Sequence, residues 1–109
     1  MKPVKEITRR YDGSIRNKKW CLNGKLHRED GPAAIYYRED GSVDDKVWYL
    51  NGELHREDGP AIVRYRKDGS IGQELWFIDN TPLSPEEIEE LKLKLEIQKI
   101  TELALVGEL

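Results

Sequence analysis

The sequence predicts a mainly β protein: an antiparallel meander of hairpin repeats with a 28-residue period, ending in one C-terminal α-helix. Three observations carry this. Trp20, Trp48 and Trp76 recur at intervals of 28 residues, and the triplets Asp12-Gly13-Ser14, Asp40-Gly41-Ser42 and Asp68-Gly69-Ser70 keep the same interval. Asn23-Gly24 and the block His27-Arg28-Glu29-Asp30-Gly31-Pro32 return as Asn51-Gly52 and His55-Arg56-Glu57-Asp58-Gly59-Pro60. A repeat of this length is one supersecondary unit that buries its apolar face by stacking on its neighbours. Units are expected over about residues 7–34, 35–62 and 63–83, giving a sheet region over 1–83 and a helical segment over 84–109.

Each unit opens with a strand: Ile7 to Tyr11, Ile35 to Glu39, Val63 to Lys67. Ala33, Ile35 and Tyr37 share one face, as do Ala61, Val63 and Tyr65. β-Branched and aromatic residues at period two suit a half-buried strand. Asp-Gly then turns the chain, because glycine accepts positive φ. The second strand carries the tryptophan: Lys19 to Leu22, Lys46 to Leu50, Leu75 to Ile78. Trp20/Leu22, Trp48/Leu50 and Trp76/Ile78 fall on one face and are the expected core. The opposite face carries Cys21, then Val47 and Tyr49, then Leu75 and Phe77. The sheet thus becomes apolar on both sides toward its C-terminal end, and the second face must be covered or serve as a binding surface.

Asn-Gly is the strongest short hairpin signal. After it, Lys25-Leu26-His27 and Glu53-Leu54-His55 fold back beside the tryptophan strand, and Asp-Gly-Pro reverses the chain again. The third unit departs from the pattern. Asp79-Asn80 replaces Asn-Gly, and Thr81-Pro82-Leu83-Ser84-Pro85-Glu86-Glu87 replaces the histidine block. Ser84 suits an N-cap, Pro85 the first helical position, and Glu87 completes a capping box. A helix is expected from there to about Val106. Ile88, Leu91 and Leu95 form one apolar stripe, and Leu93, Ile97, Ile100 and Ala104 another beside it. Either the helix simply caps the open sheet, or one stripe covers the sheet while the other meets a second copy or a partner.

Composition bounds the function. A chain of 109 residues has room for one domain with a thin core. No apolar run approaches the length of a membrane span, and Met1 to Glu6 lack the apolar stretch of a secretory signal. The lone Cys21 excludes an intrachain disulfide and fits a reducing, cytoplasmic compartment. The net charge of −3 hides an asymmetry: residues 1–19 carry seven Lys/Arg against two Asp/Glu, and residues 84–109 carry three against seven.

The string Trp48-Tyr49-Leu50-Asn51-Gly52-Glu53-Leu54-His55-Arg56-Glu57-Asp58-Gly59-Pro60-Ala61, matched by Trp20 to Ala33, resembles the MORN repeat (membrane occupation and recognition nexus). It more strongly resembles the divergent MORN-like repeats of phage, giant-virus and some bacterial proteins. The resemblance covers about residues 7–83 and implies a structural or protein-binding module. The phage versions imply a host-protein partner, including a defence factor, and a bacterial branch implies an antitoxin component. The 28-residue length and the His-Arg-Glu-Asp block depart from ordinary MORN units and speak against a lipid role.

No phosphate loop, nucleophile elbow, zinc ligand set or dinucleotide fingerprint is present, so no catalytic residue, cofactor or metal is expected. His27 and His55 occupy equivalent repeat positions and are expected to hydrogen-bond their own turns, to Asp30 or Asp58. Nucleic-acid binding through Tyr36, Tyr37, Tyr49 and Tyr65 with Arg38, Arg64 and Arg66 is disfavoured by the net negative charge and by Glu39, Asp40, Asp44 and Asp45. A small-ligand or nucleotide binder is the main alternative to a protein-binding role. The expected partner-binding residues are the aromatic group Tyr37, Tyr49, Tyr65 and Phe77, or the helix stripe Leu93, Ile97 and Ile100. A homo-oligomer is expected from the apolar surfaces left over.

Overall fold

Each Asp-Gly-Ser triplet builds the same turn. In the computed structural model, which describes residues 1–107, Gly13, Gly41 and Gly69 take φ of 91°, 89° and 89°. The Asp12 carboxylate accepts from the Ser14 N–H at 2.9 Å and the Ser14 hydroxyl at 2.6 Å, and Asp40/Ser42 and Asp68/Ser70 repeat the arrangement. These serine hydrogen bonds, side chain first, hold all three carboxyls below the usual aspartate range. A folded pKa below the unfolded one contributes stability above the unfolded value, and that contribution is lost as pH falls through the folded value. Replacing Ser14, Ser42 and Ser70 together by alanine should therefore flatten the loss of stability below about pH 4. Denaturation midpoints that fall in parallel for both proteins across that range would count against it.

The turns connect an antiparallel meander. β1 (Val4–Arg9), β2 (Ile15–Leu22), β4 (Ala34–Tyr37), β5 (Val43–Val47), β8 (Ile62–Tyr65) and β9 (Ile71–Leu75) lie side by side in that order. β3 (Lys25–Leu26) pairs back on the end of β2. The second and third Asn-Gly positions make separate hairpins, β6 (Tyr49–Leu50) with β7 (Glu53–Leu54), and β10 (Phe77–Ile78) with β11 (Thr81–Pro82). Asn51 and Gly52 both take positive φ, as a type I′ turn requires, and Asp79 and Asn80 do the same in the third unit. The register repeats with the sequence: Lys18 faces Ile35 as Lys46 faces Val63. A register shift falls at the same place in each unit, before Arg9, Tyr37 and Tyr65.

Two expectations are corrected. The tryptophan strand is continuous only in the first unit; it breaks at Trp48 and at Trp76. β2 has β1 beside it as far as Cys21, whereas β4 accompanies β5 only to Val47, opposite Ala34. Beyond that point the chain leaves the main sheet and pairs with its own return strand, Tyr49 opposite Leu54 and Leu50 opposite Glu53. The core is also smaller than the expected tryptophan ladder. Its buried apolar residues are Ala33, Ala34, Val47, Ala61 and Val63, while Trp20, Trp48, Trp76, Leu22, Leu50 and Ile78 are half-buried. A single-layer sheet has no opposing layer to enclose large rings. Ala33 lies between Trp20 and Trp48 in the hydrogen-bonded row, and Ala61 follows Trp48, so small side chains alternate with large ones.

The helix α1 (Pro85–Gly107) starts as its capping box dictates. The Ser84 N–H donates to Glu87 Oε1 at 3.0 Å and the Glu87 N–H donates to Ser84 Oγ at 3.2 Å. Residues 108 and 109 of the helical segment expected over 84–109 lie outside the described residues. Ile88, Leu91 and Leu95 are half-buried, but Leu93, Ile97, Ile100 and Leu103 are exposed. The two stripes are not adjacent. Leu93 and Leu95 are two positions apart, about 200° around a helix of 3.6 residues per turn, so they face opposite ways. The half-buried stripe continues as Gln98 and Glu102, which are exposed. Apolar packing of the helix therefore ends after Leu95.

Candidate functional site

The histidine block forms the most elaborate surface of the molecule. Arg28 stacks 3.9 Å from the centre of the Trp20 ring and Arg56 3.8 Å from that of Trp48. Each guanidinium is fixed from below: Arg56 Nε donates to Asp58 at 2.8 Å and its Nη1 to the Pro60 carbonyl at 3.0 Å, with Arg28, Asp30 and Pro32 alike. This explains the glycine of Asp-Gly-Pro. A Cβ on Gly59 would lie 2.7 Å from Arg56 Cζ, and one on Gly31 3.0 Å from Arg28 Cζ, so the glycine is there for close approach and not for positive φ. Gly59→Ala should push the Arg56 guanidinium off Trp48, and because that is the end of a flexible side chain the cost is that of the lost stack, about 0.5–1 kcal/mol. An unchanged denaturation midpoint would sink that explanation.

The histidines do something other than expected. His27 does not hold its own turn to Asp30; its Nδ1 accepts the Asn51 N–H of the following unit at 2.9 Å. His55 accepts the Asp79 N–H at 3.0 Å, with the Asp79 carboxylate also 3.1 Å from Nδ1. In both, Nε2 points to a glutamate two residues on, Glu29 at 3.7 Å or Glu57 at 3.4 Å. An Nδ1 that accepts leaves the proton on Nε2, which the glutamate then orients. Backbone bonds accompany the staple: Gly52 N–H to the Leu26 carbonyl, and Asn80 N–H to the Leu54 carbonyl, both at 2.8 Å. Each histidine therefore joins consecutive units.

A second staple, absent from the sequence reading, runs along the other end of the strands. The Arg10 guanidinium donates to the Tyr37 carbonyl at 2.5 Å and to the Arg38 carbonyl at 3.3 Å. Arg38 repeats this on the carbonyls of Tyr65 and Arg66, and pairs with Asp44 at 3.1 Å. The signal lay in plain view, since Arg10, Arg38 and Arg66 stand 28 residues apart, each two before its Asp-Gly-Ser. A cation at a strand end reads as solvated surface until the neighbouring unit supplies its acceptors.

Between the blocks lie open clefts. One, of about 600 Å³, is lined by Trp48, Leu50 and His55, with Arg28, Glu29, Asp30, Arg56, Glu57 and Asp58 around it. A second runs from Glu57 and Asp58 past Ile78 and Leu83 to Leu91, Lys94 and Leu95 of α1. Arg28 and Arg56 are already committed to Asp30 and Asp58, so the remaining rim charge is acidic. Among the described residues no group of three or more His, Cys, Asp or Glu is arranged to hold a metal ion. No helix among them is long and apolar enough to cross a membrane.

The structure divides the four aromatic candidates. Tyr37 and Tyr65 lie under lysines, Lys18 at 5.5 Å and Lys46 at 5.6 Å from the ring centres, on the face shared with Ile35 and Val63. Tyr49 belongs to the other face with Val47; burial first, then the nearby Tyr36, push its phenol pKa up. Phe77 takes the equivalent place one unit on. All four are half-buried. Leu93, Ile97 and Ile100 stay together on one exposed side of α1, between 56% and 62% accessible. Comparison with protein-family models, curated proteins and solved structures finds no match for this chain.

Proposed function

We propose that the chain is a non-enzymatic protein-binding module whose partner surface is the outer stripe of α1: Leu93, Ile97 and Ile100. The observation that carries this is the division of the helix into two opposed apolar faces, of which Ile88, Leu91 and Leu95 are half-buried while Leu93, Ile97 and Ile100 are exposed. Exposed leucine and isoleucine at i, i+4 and i+7 match the way an amphipathic helix engages a groove on another protein. The repeat's likeness to phage-type units supports a host protein as the partner, with inhibition or modulation of a defence factor as the role. Residence in the cytoplasm belongs to the same proposal.

The test is capture from host lysate with the wild-type chain and with a Leu93→Asp/Ile97→Asp/Ile100→Asp variant. These side chains are exposed, so the variant should melt like wild type yet lose a stoichiometric host protein. Equal capture by both, or no stoichiometric protein with either, would defeat the reading. The cleft lined by Trp48 favours a small ligand as the second reading. With Asp30 and Asp58 paired to Arg28 and Arg56, the charge left on its rim is that of Glu29 and Glu57, which disfavours phosphate and ranks a nucleotide below a protein partner. A thermal shift with nucleotides that survives the helix substitutions would reverse that order.

A further inference from the structure

We infer that copies of this chain join head to tail, the free edge of β9 in one copy pairing with the free edge of β1 in the next. The assembly continues the repeat across the chain boundary and is independent of the partner role proposed for α1.

Three observations carry it. The first is register. Within the chain, β2 meets β4 and β5 meets β8 in equivalent pairings: Asn17 with Tyr36 and Lys18 with Ile35 become Asp45 with Arg64 and Lys46 with Val63. A third junction in the same register sets Gln73 opposite Thr8 and Glu74 opposite Ile7 of the next copy. These positions are exposed: β1 throughout, and β9 from Ile71 to Glu74.

The second is the arginine staple. Arg10 and Arg38 each reach two carbonyls of the following unit. Among the described residues Arg66 bonds only Ser70 and the Ile71 carbonyl of its own turn, and it is exposed. In the third junction the equivalent acceptors are the carbonyls of Arg9 and Arg10 of the next copy. Its set of bonds is incomplete without that copy.

The third is charge. At both internal junctions a lysine covers a tyrosine: Lys18 over Tyr37, and Lys46 over Tyr65. Counting on by 28, Glu74 takes the lysine's place, and Arg9 of the next copy takes the tyrosine's. A cation over a ring becomes a carboxylate beside a guanidinium. Lys5 flanks Glu74 on its other diagonal, within reach across a paired strand. Of the seven cations of residues 1–19, Lys5 and Arg9 thus lie on the β1 edge beside Glu74 of the neighbour. Charges on an edge strand discourage pairing with arbitrary strands; here they are matched by opposite charges at the other end. The contact is heterologous, so it builds chains or rings and not a two-fold dimer.

Charge reversal tests it, because Arg9 and Glu74 are both exposed and play no part in the internal staples. Light scattering over a concentration series should show wild type growing in mass. Glu74→Arg alone and Arg9→Glu alone should each shift the protein toward monomer, and Glu74→Arg/Arg9→Glu together should restore growth. In a Cys21→Ser background, a mixture of separate Thr8→Cys and Gln73→Cys proteins should oxidise to one mixed dimer, with neither linking to itself. A wild-type chain that stays monomeric, single reversals without effect, or self-linking of Thr8→Cys would overturn the inference. Assembly lost only on substituting Leu93, Ile97 and Ile100 would overturn it too.

Discussion

Trp48→Ala is expected to destabilise the chain by about 3 kcal/mol, the lower part of the range for deleting a large aromatic side chain. The lower part applies because Trp48 is half-buried. Two further losses come with the ring. Arg56 has its guanidinium 3.8 Å from the ring centre and would stand over a void. Ala61, fully buried, accepts the Trp48 N–H in the adjoining row and would gain solvent. Trp76→Ala should cost less, since only Lys92, 5.9 Å away, lies over that ring. Chemical denaturation of the two variants beside wild type gives the comparison. A Trp48 variant with the wild-type midpoint, or one milder than Trp76→Ala, would contradict the stacked arrangement.

Arg38→Ala should be the most damaging change at a charged position, at about 2–3 kcal/mol. Its guanidinium satisfies the Val43 carbonyl at 2.9 Å, reaches the Tyr65 and Arg66 carbonyls of the next unit, and pairs with Asp44. The side chain is only 18% exposed, so its loss leaves partly desolvated carbonyls without donors. Lysine should not rescue it, because one ammonium cannot span acceptors on two units as a planar fork does. Arg66→Ala is the internal control. It has its own turn to bond and no following unit, and should cost less than about 1 kcal/mol when measured on monomer at low concentration. Equal costs at the two positions would show that the staple between units contributes nothing.

Much of the architecture was legible from residues alone. Turn chemistry is local: Asp-Gly-Ser and Asn-Gly impose their dihedral angles whatever surrounds them, and the Ser84/Glu87 capping box needs only its own backbone. The 28-residue interval then implies equal units in sequence order, and short hairpins leave an antiparallel meander as their connection. The apolar spacing of Leu93, Ile97 and Ile100 was visible too, but whether that stripe caps the sheet or stays exposed was left open by the residues alone.

What the sequence could not decide is which groups meet across units. Local spacing put His27 nearest Asp30, yet the next hairpin brings the Asn51 N–H to its Nδ1 at 2.9 Å, a partner 24 residues away. Arg10 and Arg38 read as surface cations because their acceptors are backbone carbonyls, which carry no sequence signature. The two helix stripes are an exception, since 3.6 residues per turn by itself sets them on opposite sides. The tryptophans read as core because a large ring in a strand usually has a layer to sink into. The hairpin period and the helix start were determined locally by turn and capping chemistry. The small alanine and valine core, the strand breaks at Trp48 and Trp76, and both ladders of inter-unit staples arise only when one unit is laid against the next.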